Sequence, residues 1–188
     1  MSDAQSESSS LRHFVAYVED QPGVLNRVTS LFRRRCYNIV SLNVGRTHEV
    51  GVSRMTFAVE ADEDTARRIE ANLYKLVNVL SVEDITGKPN LIRGLALIKV
   101  TVGQDKRSEV LQLVEVFRGQ VIDLDTNTMI IELTGQQSKI DGLVSVLAPY
   151  GIAEMVQTGT VAMTRGEKGG AATGAAAQPP NLRGVFAA

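Results

Sequence analysis

The order of the apolar segments constrains this chain most strongly, because one order of strands and helices occurs twice. Between His13 and Ile85, apolar runs typical of strands alternate with apolar residues at helical spacing in the order β-α-β-β-α-β. The turn-rich segment Gly87-Lys88-Pro89-Asn90 follows, and after it the same order begins again. Two related α+β units in tandem are the simplest account of this pattern.

The pattern divides the chain into four parts. Residues 1–10 are rich in serine and predict a disordered lead-in, residues 11–87 form the first unit, and residues 88–165 form the second. Residues 166–188 consist largely of Gly, Ala and Pro and predict a flexible tail. Within the units, Asp62 is predicted to cap the second helix, and residues 152–163 are predicted to form a single last strand.

Composition excludes several classes of protein. The 188 residues carry a formal net charge of -1, which gives no strong attraction to nucleic acid. RNA-binding modules of this strand order stack bases on aromatic residues of a basic and aromatic motif. This chain has only 5% aromatic residues and lacks that motif. No segment is apolar over the length needed to cross a bilayer, and the N-terminus lacks the apolar core of a signal peptide. One cysteine and two histidines are little material for a metal site. We therefore expect a cytoplasmic protein that binds neither nucleic acid nor membrane.

The clearest potential binding segment is the turn from Glu19 to Leu25, which joins the first strand to the first helix. Amides at a helix start point outward and suit a carboxylate. Pro22 suits a first helical turn, Gly23 allows close approach of a guest, and Asp20 is placed either to cap the helix or to receive an ammonium group. A small amino acid fits this turn, and a plain capped helix start explains the same residues equally well.

Asn38, with Ile39 beside it, is the expected counterpart of this turn. An amide both donates and accepts hydrogen bonds, which suits the two ends of a zwitterion. The ordinary role of an asparagine before a strand is to form a turn, so this residue also has a structural explanation.

Other polar residues are predicted to be structural. Cys36 has no recognisable catalytic motif around it, and we expect a packed, inert cysteine. Arg33-Arg34-Arg35 ends the first helix, where cations interact favourably with the helix dipole. The carboxylates lie mostly at the ends of elements, where capping explains them. We therefore assign no catalytic residue and no metal ligand.

Seven segments, in order along the chain, carry a resemblance to a known family. They are Asp20-Gln21-Pro22-Gly23-Val24-Leu25, Leu31-Phe32-Arg33-Arg34-Arg35-Cys36-Tyr37-Asn38-Ile39, Ser53-Arg54-Met55-Thr56, Lys75-Leu76-Val77-Asn78-Val79-Leu80, Leu97-Ile98-Lys99-Val100, Phe117-Arg118 and Val121-Ile122-Asp123. Together they resemble the small regulatory subunit of acetohydroxyacid synthase, also called acetolactate synthase. The Pro-Gly-Val-Leu turn alone indicates only an ACT domain, whereas the whole series is specific to that family.

The resemblance implies an N-terminal ACT domain with a ferredoxin-like fold and a similarly built C-terminal domain. It implies a homodimer in which two ACT domains hold a branched-chain amino acid, usually valine, between them. The implied effector site consists of Asp20, Gln21, Pro22, Gly23, Val24 and Leu25 of one protomer with Asn38 and Ile39 of the other. The implied partner is the large catalytic subunit, which carries thiamine diphosphate, magnesium and FAD and condenses pyruvate with pyruvate or 2-oxobutyrate. No cofactor is expected on this chain.

The chain departs from the family pattern at a few positions. Cys36 stands where a glycine is usual, Asp20 where some relatives have asparagine, and Arg93-Gly94 where an Arg-Glu pair is common. The tail is not part of the pattern. The implied function is a non-catalytic subunit that activates the synthase and confers feedback inhibition by valine. The alternative is a stand-alone amino-acid-sensing module that acts on another target.

Overall fold

A computed structural model describes residues 9–166 of the chain. They form two compact units, the first containing residues 9–91 and 162–166 and the second containing residues 92–161. The domain bounds predicted from the sequence, at residues 87 and 165, stay a prediction. The first eight residues of the predicted lead-in, and the predicted tail from residue 167 onward, lie outside the described residues.

The first unit is a four-stranded antiparallel sheet with two helices. Its elements are β1 (Ser10–Glu19), α1 (Val24–Arg34), β2 (Ile39–Arg46), β3 (Val52–Ala61), α2 (Glu63–Leu73) and β4 (Val79–Asp84). The strands lie in the order β2-β3-β1-β4, so β2 and β4 are the edges of the sheet. β1 begins at Ser10, earlier than the lead-in prediction allows, because its first residues pair with the far end of β3.

The core of the first unit lies between the sheet and its two helices. Alternate residues of β1, beginning with Phe14, face the same cluster as Val28 and Phe32 of α1. The ring of Phe57 stacks on Phe14 and meets Phe32 edge to face, each with centroids 5.2 Å apart. Burial of each such side chain stabilises the fold by about 1.5–3 kcal/mol, which fixes α1 across the sheet.

The predicted cap of α2 is confirmed. Asp62 precedes the helix in an extended conformation, and its carboxylate accepts a hydrogen bond from the amide of Thr65 at 2.6 Å. This hydrogen bond lowers the pKa of Asp62 below its ordinary value, because it favours the charged form.

The second unit repeats the order of the first. Its elements are β5 (Asn90–Thr101), α3 (Arg107–Val116), β6 (Gln120–Leu124), β7 (Thr128–Gly135), α4 (Gln137–Leu147) and β8 (Ile152–Gln157). A further strand, β9 (Val161–Thr164), follows, and its residues from 162 onward belong to the first unit. The sheet order is β6-β7-β5-β8, and β9 also pairs with β5. The predicted single last strand is therefore wrong, since residues 158–160 interrupt it. The amide of Thr158 still donates to the carbonyl of Leu95 at 2.9 Å, but the amide of Leu95 donates to the hydroxyl of Thr158 at 3.1 Å, so a side chain takes the place of one ladder acceptor there.

The two units share local irregularities as well as element order. A residue with left-handed backbone follows α1 and α3, namely Cys36 (φ 56°) and Arg118 (φ 51°). The pairing of the following strand then shifts register, between Ile39 and Ser41 in β2 and between Val121 and Asp123 in β6. The α+β class with two tandem ferredoxin-like units is thus confirmed. Among residues 9–166, no helix is long and apolar enough to cross a membrane.

Candidate functional site

The turn between β1 and α1 is shaped by Gly23. This residue is the N-cap of α1 and has left-handed backbone, with φ 86° and ψ -7°. A Cβ atom built there would meet nothing within 4 Å, so the space in front of the backbone is open. Pro22 lies before the N-cap and not in the first helical turn as predicted. Its fixed φ and missing amide therefore shape the entry to the turn.

Three amides of the turn are available to a ligand. Within the described residues, the amides of Gly23, Leu25 and Asn26 donate to no acceptor, and the first intrahelical bond runs from the amide of Arg27 to the carbonyl of Gly23 at 3.0 Å. All three residues are exposed. Outward amides at the positive end of a helix dipole bind anions, so this turn can hold a carboxylate.

Asp20 does not cap the helix, because the N-cap of α1 receives no side-chain hydrogen bond. Its carboxylate instead accepts a hydrogen bond from the hydroxyl of Ser53 at 3.2 Å and pairs with the Nε of Arg46 at 3.3 Å. Its amide donates to the carbonyl of Gly51 at 2.7 Å. Asp20 therefore joins the turn to the hairpin between β2 and β3, and the sequence pattern did not predict this role.

The other side of the turn is tied to the start of β4. The side-chain amide of Asn78 donates to Glu19 at 2.5 Å, and its oxygen accepts from the guanidinium of Arg27 at 2.7 Å. The backbone adds a bond from the amide of Glu19 to the carbonyl of Asn78 at 3.0 Å. Because both ends of the turn are held, the three open amides keep fixed directions.

Asn38 and Ile39 lie at the opposite end of the sheet from the turn. Val59 of β3 pairs with Ile39 on one side and with Arg12 on the other, whereas Glu19 pairs with Val52. Residues 52–59 of β3 separate the two positions, which is about 23 Å at 3.3 Å per residue. A single chain therefore does not bring the two predicted halves of the site together. Asn38 is exposed and Ile39 is half-buried.

The edge strand β2 carries apolar side chains that solvent reaches. Val40 is 50% exposed and Val44 is 41% exposed, and Leu25 at the start of α1 is 42% exposed. An unpaired strand edge with apolar side chains is a template for pairing with another chain. The edge strand β2 thus begins beside Asn38 and ends at Arg46, which pairs with Asp20 of the turn.

The remaining candidate residues form no second site. Cys36 is exposed, so the prediction of a packed cysteine is wrong: its left-handed backbone at the helix end points it away from the core. The guanidinium of Arg35 donates to the side chain of Asn72 at 3.3 Å, which gives part of the basic cluster a structural role. Among residues 9–166, no three His, Cys, Asp or Glu side chains are grouped so that they could hold a metal ion.

Comparison with known sequences finds two matching family models, one for each half of the described chain. Residues 14–81 match the family described as the AHAS small subunit-like ACT domain, and residues 93–166 match the small subunit of acetolactate synthase. The acetolactate synthase small subunit of Mycobacterium leprae is 45% identical over 152 residues, which cover 81% of this chain and 90% of the relative. The chain belongs to the family of acetolactate synthase small subunits.

Other members of the acetolactate synthase small subunit family agree in extent and in fold. The small subunit of Bacillus subtilis is 43% identical over 150 residues, covering 79% of this chain and 87% of that protein. The crystal structure of the small subunit from Thermotoga maritima has a TM-score of 0.79 at 38% identity, covering 85% of this chain and 99% of that one. The family resemblance seen in the sequence is confirmed.

Proposed function

We propose that this chain is the regulatory subunit of acetolactate synthase in branched-chain amino-acid biosynthesis. It binds and activates the large catalytic subunit in the cytoplasm, and it transmits feedback inhibition by a branched-chain amino acid, valine in the first place. Thiamine diphosphate, magnesium and FAD belong to the catalytic partner, and this chain supplies no catalytic residue. Membership of the family supports the role, and the geometry of the first unit supports the effector site.

The observation that carries the proposal is the placement of the two half-sites about the free edge strand. The turn at Gly23 lies at the end of the sheet where β2 ends, and Asn38 lies where β2 begins. If the β2 strands of two protomers pair antiparallel across a two-fold axis, the start of one β2 lies beside the end of the other. Asn38 and Ile39 of one protomer then approach the turn of its partner, and each dimer completes two sites.

The open turn suits the carboxylate of the effector. The positive end of α1 favours an anion by up to about 2 kcal/mol in a partly buried geometry, and hydrogen bonds from charged or dipolar partners add to this. The ammonium group has two candidate partners, the carboxylate of Asp20 and the side-chain oxygen of Asn38 from the other protomer. Because Asp20 is already paired with Arg46, an ammonium that binds Asp20 competes with that guanidinium.

The side chain of the effector contacts the apolar surface at the edge of the proposed dimer. Leu25 and Ile39 offer such a surface, one from each protomer. One methylene discriminates by only about 1–3 kcal/mol in an apolar pocket, so leucine and isoleucine are competitors of the same kind.

Regulation follows from a difference in affinity. A ligand that touches both protomers binds one relative arrangement of the dimer better than another, and it shifts the population toward that arrangement. The catalytic subunit, bound to the same dimer, then experiences a different contact surface.

The decisive experiment measures acetolactate formation by the catalytic subunit of the same organism, with and without this chain and with increasing free valine. We expect this chain to raise the activity and valine to lower the raised activity toward the basal level. A catalytic subunit whose activity is unaffected by saturating amounts of this chain would contradict the proposal. Co-purification that recovers a different target would point to a stand-alone sensing module.

A further inference from the structure

At the β4 edge of the first sheet, one side chain bonds to both backbone groups of a strand residue. The hydroxyl of Tyr74 donates to the carbonyl of Val82 at 2.9 Å and accepts the amide of the same residue at 3.1 Å. A tyrosine hydroxyl can do both, because it is a donor and an acceptor. Tyr74 follows α2 as its C-cap and is 50% exposed, so burial in the core does not account for its position.

The pairing of β4 with β1 shows which way the backbone groups of Val82 point. The amide of Ile85 donates to the carbonyl of His13, and Glu83 lies opposite Val15. Residues along an antiparallel strand alternate between those that bond to the neighbouring strand and those that face away from it. Ile85 and Glu83 therefore face β1, and Val82 directs its amide and carbonyl toward the outside of the sheet.

The same alternation shows that β2, the other edge, has no such contact. The amide of Thr47 donates to the carbonyl of Val52, so the backbone groups of Val44, three residues earlier, face away from β3. Among the described residues, no side chain bonds to these groups of Val44. Free amides and carbonyls on a strand edge are a template for another strand, so β2 can accept one. At the middle of β4, an incoming strand must first displace the hydroxyl of Tyr74.

We propose that Tyr74 closes the β4 edge and thereby confines pairing between the first units of two copies to β2. This inference rests on the proposed function, in which two β2 strands pair and each dimer completes two effector sites. A first unit that pairs only through β2 is satisfied by one partner, since the two-fold contact uses that edge on both copies. With β4 open as well, each paired copy presents a second edge to a further copy. Tyr74 is therefore a specificity-determining residue of the assembly that holds the effector.

The test measures the mass of the full-length chain by sedimentation over a wide range of concentrations. Tyr74→Ala removes the ring and the hydroxyl, and at high concentration it is expected to reach about twice the mass of the parent assembly or more. Tyr74→Phe removes the hydroxyl alone, so it should form the same heavier species in smaller proportion. Hydrogen exchange at the amide of Val82 should be faster in both variants than in the parent. Affinity for free valine should be unchanged, because the effector turn is untouched.

Tyr150→Phe is the matched control, since the hydroxyl of Tyr150 bonds to the side chain of Glu109 at 3.2 Å and not to a strand edge. It should sediment like the parent. The double variant Tyr74→Ala with Val44→Lys separates edge pairing from aggregation of unfolded chains. With β2 blocked and β4 open, it is expected to form a discrete dimer.

Equal masses for the parent and both Tyr74 variants at every concentration would overturn the inference and leave the proposed function standing. Species heavier than a dimer in the double variant would overturn it too, because association would then not depend on the strand edges. If Tyr74→Ala does not fold, as thermal unfolding will show, the mass of Tyr74→Phe decides. A parent chain that stays monomeric would contradict the proposed pairing of β2, whereas a heavier Tyr74→Ala would still support a closed β4 edge.

Discussion

Two substitutions of Gly23 separate the effect of a negative charge at the turn from the effect of added side-chain volume. We compare Gly23→Asp with Gly23→Asn, two substitutions of nearly equal volume. Asp and Asn are the residues that tolerate left-handed backbone best after glycine, and Gly23 has φ 86°. Since a Cβ atom at this position meets nothing within 4 Å, neither side chain clashes with the fold. Both variants should therefore lose about 1 kcal/mol of stability, and to a similar extent.

The two variants differ in what they place at the amides of the turn. The aspartate puts a carboxylate where the carboxylate of the effector is proposed to bind. It fills the favourable site at the helix start, worth up to about 2 kcal/mol, and repels a second anion there. The neutral asparagine does not have this repulsion. A difference of about 2 kcal/mol corresponds to roughly a 30-fold weaker affinity of Gly23→Asp for free valine than of Gly23→Asn.

Calorimetric titration with free valine measures this difference, and thermal unfolding confirms that both variants are folded. Activation of the catalytic subunit in the absence of valine should persist in both, because the proposed role of the turn is to bind the effector. The reasoning is refuted if Gly23→Asp binds valine as tightly as Gly23→Asn does. It is refuted in a different way if both variants bind like the parent, since a guest would then not approach Gly23.

Three further predictions concern the dimer edge, the helix end and the helix cap. Val44→Lys places a charge on the exposed edge of β2, so sedimentation should show a lighter species and valine affinity should fall with it; a monomer that binds valine at full strength would contradict the shared site. Cys36→Gly relieves the left-handed backbone at φ 56° and should raise the free energy of unfolding in urea by about 0.5–1 kcal/mol, whereas a loss of stability would show that the thiol contributes packing. Asp62→Ala removes the acceptor for Thr65 and should lower the melting temperature, while Asp62→Asn should keep it closer to the parent. The folded pKa of Asp62 is lowered from 3.8, so the charged cap stabilises above that pH and its advantage over alanine should fade as the pH falls below it.

The fold was predictable because periodicity and burial agree. Val24, Val28 and Phe32 are spaced for one helical face, and all three are buried against the sheet. The break in the last strand was missed because it depends on a tertiary contact, the bond between Thr158 and the amide of Leu95. A side chain that replaces a ladder bond leaves no clear signal in a pattern of apolar residues.

The residues of the candidate site could be predicted from the sequence, but the hydrogen bonds and the ion pair that join them could not. Gly23 was identified as the point of close approach, and the structure adds its left-handed backbone as a second reason for glycine. The bonds from Asp20 to Arg46, Gly51 and Ser53 were missed, because they require the pairing of β1 with β3. Once that register is known, Glu19 opposite Val52 places Asp20 beside the hairpin. Residues that act across a sheet cannot be found by reading neighbours along the chain.

The two units have left-handed residues, Cys36 and Arg118, at the same place after α1 and α3, so the turns before these helices can be compared. The comparison bears on how many effector sites one chain contains. Lys106 is the N-cap of α3, as Gly23 is of α1, and Asp105 directly precedes it, 13 residues before Arg118. Its carboxylate lies against Gly103, where a Cβ atom would come within 2.7 Å of it. The turn before α3 thus carries a carboxylate beside its glycine, whereas the space at Gly23 is open. On the proposed function we therefore expect one effector site per chain, at the turn before α1, and calorimetric titration should give one molecule of free valine bound per chain.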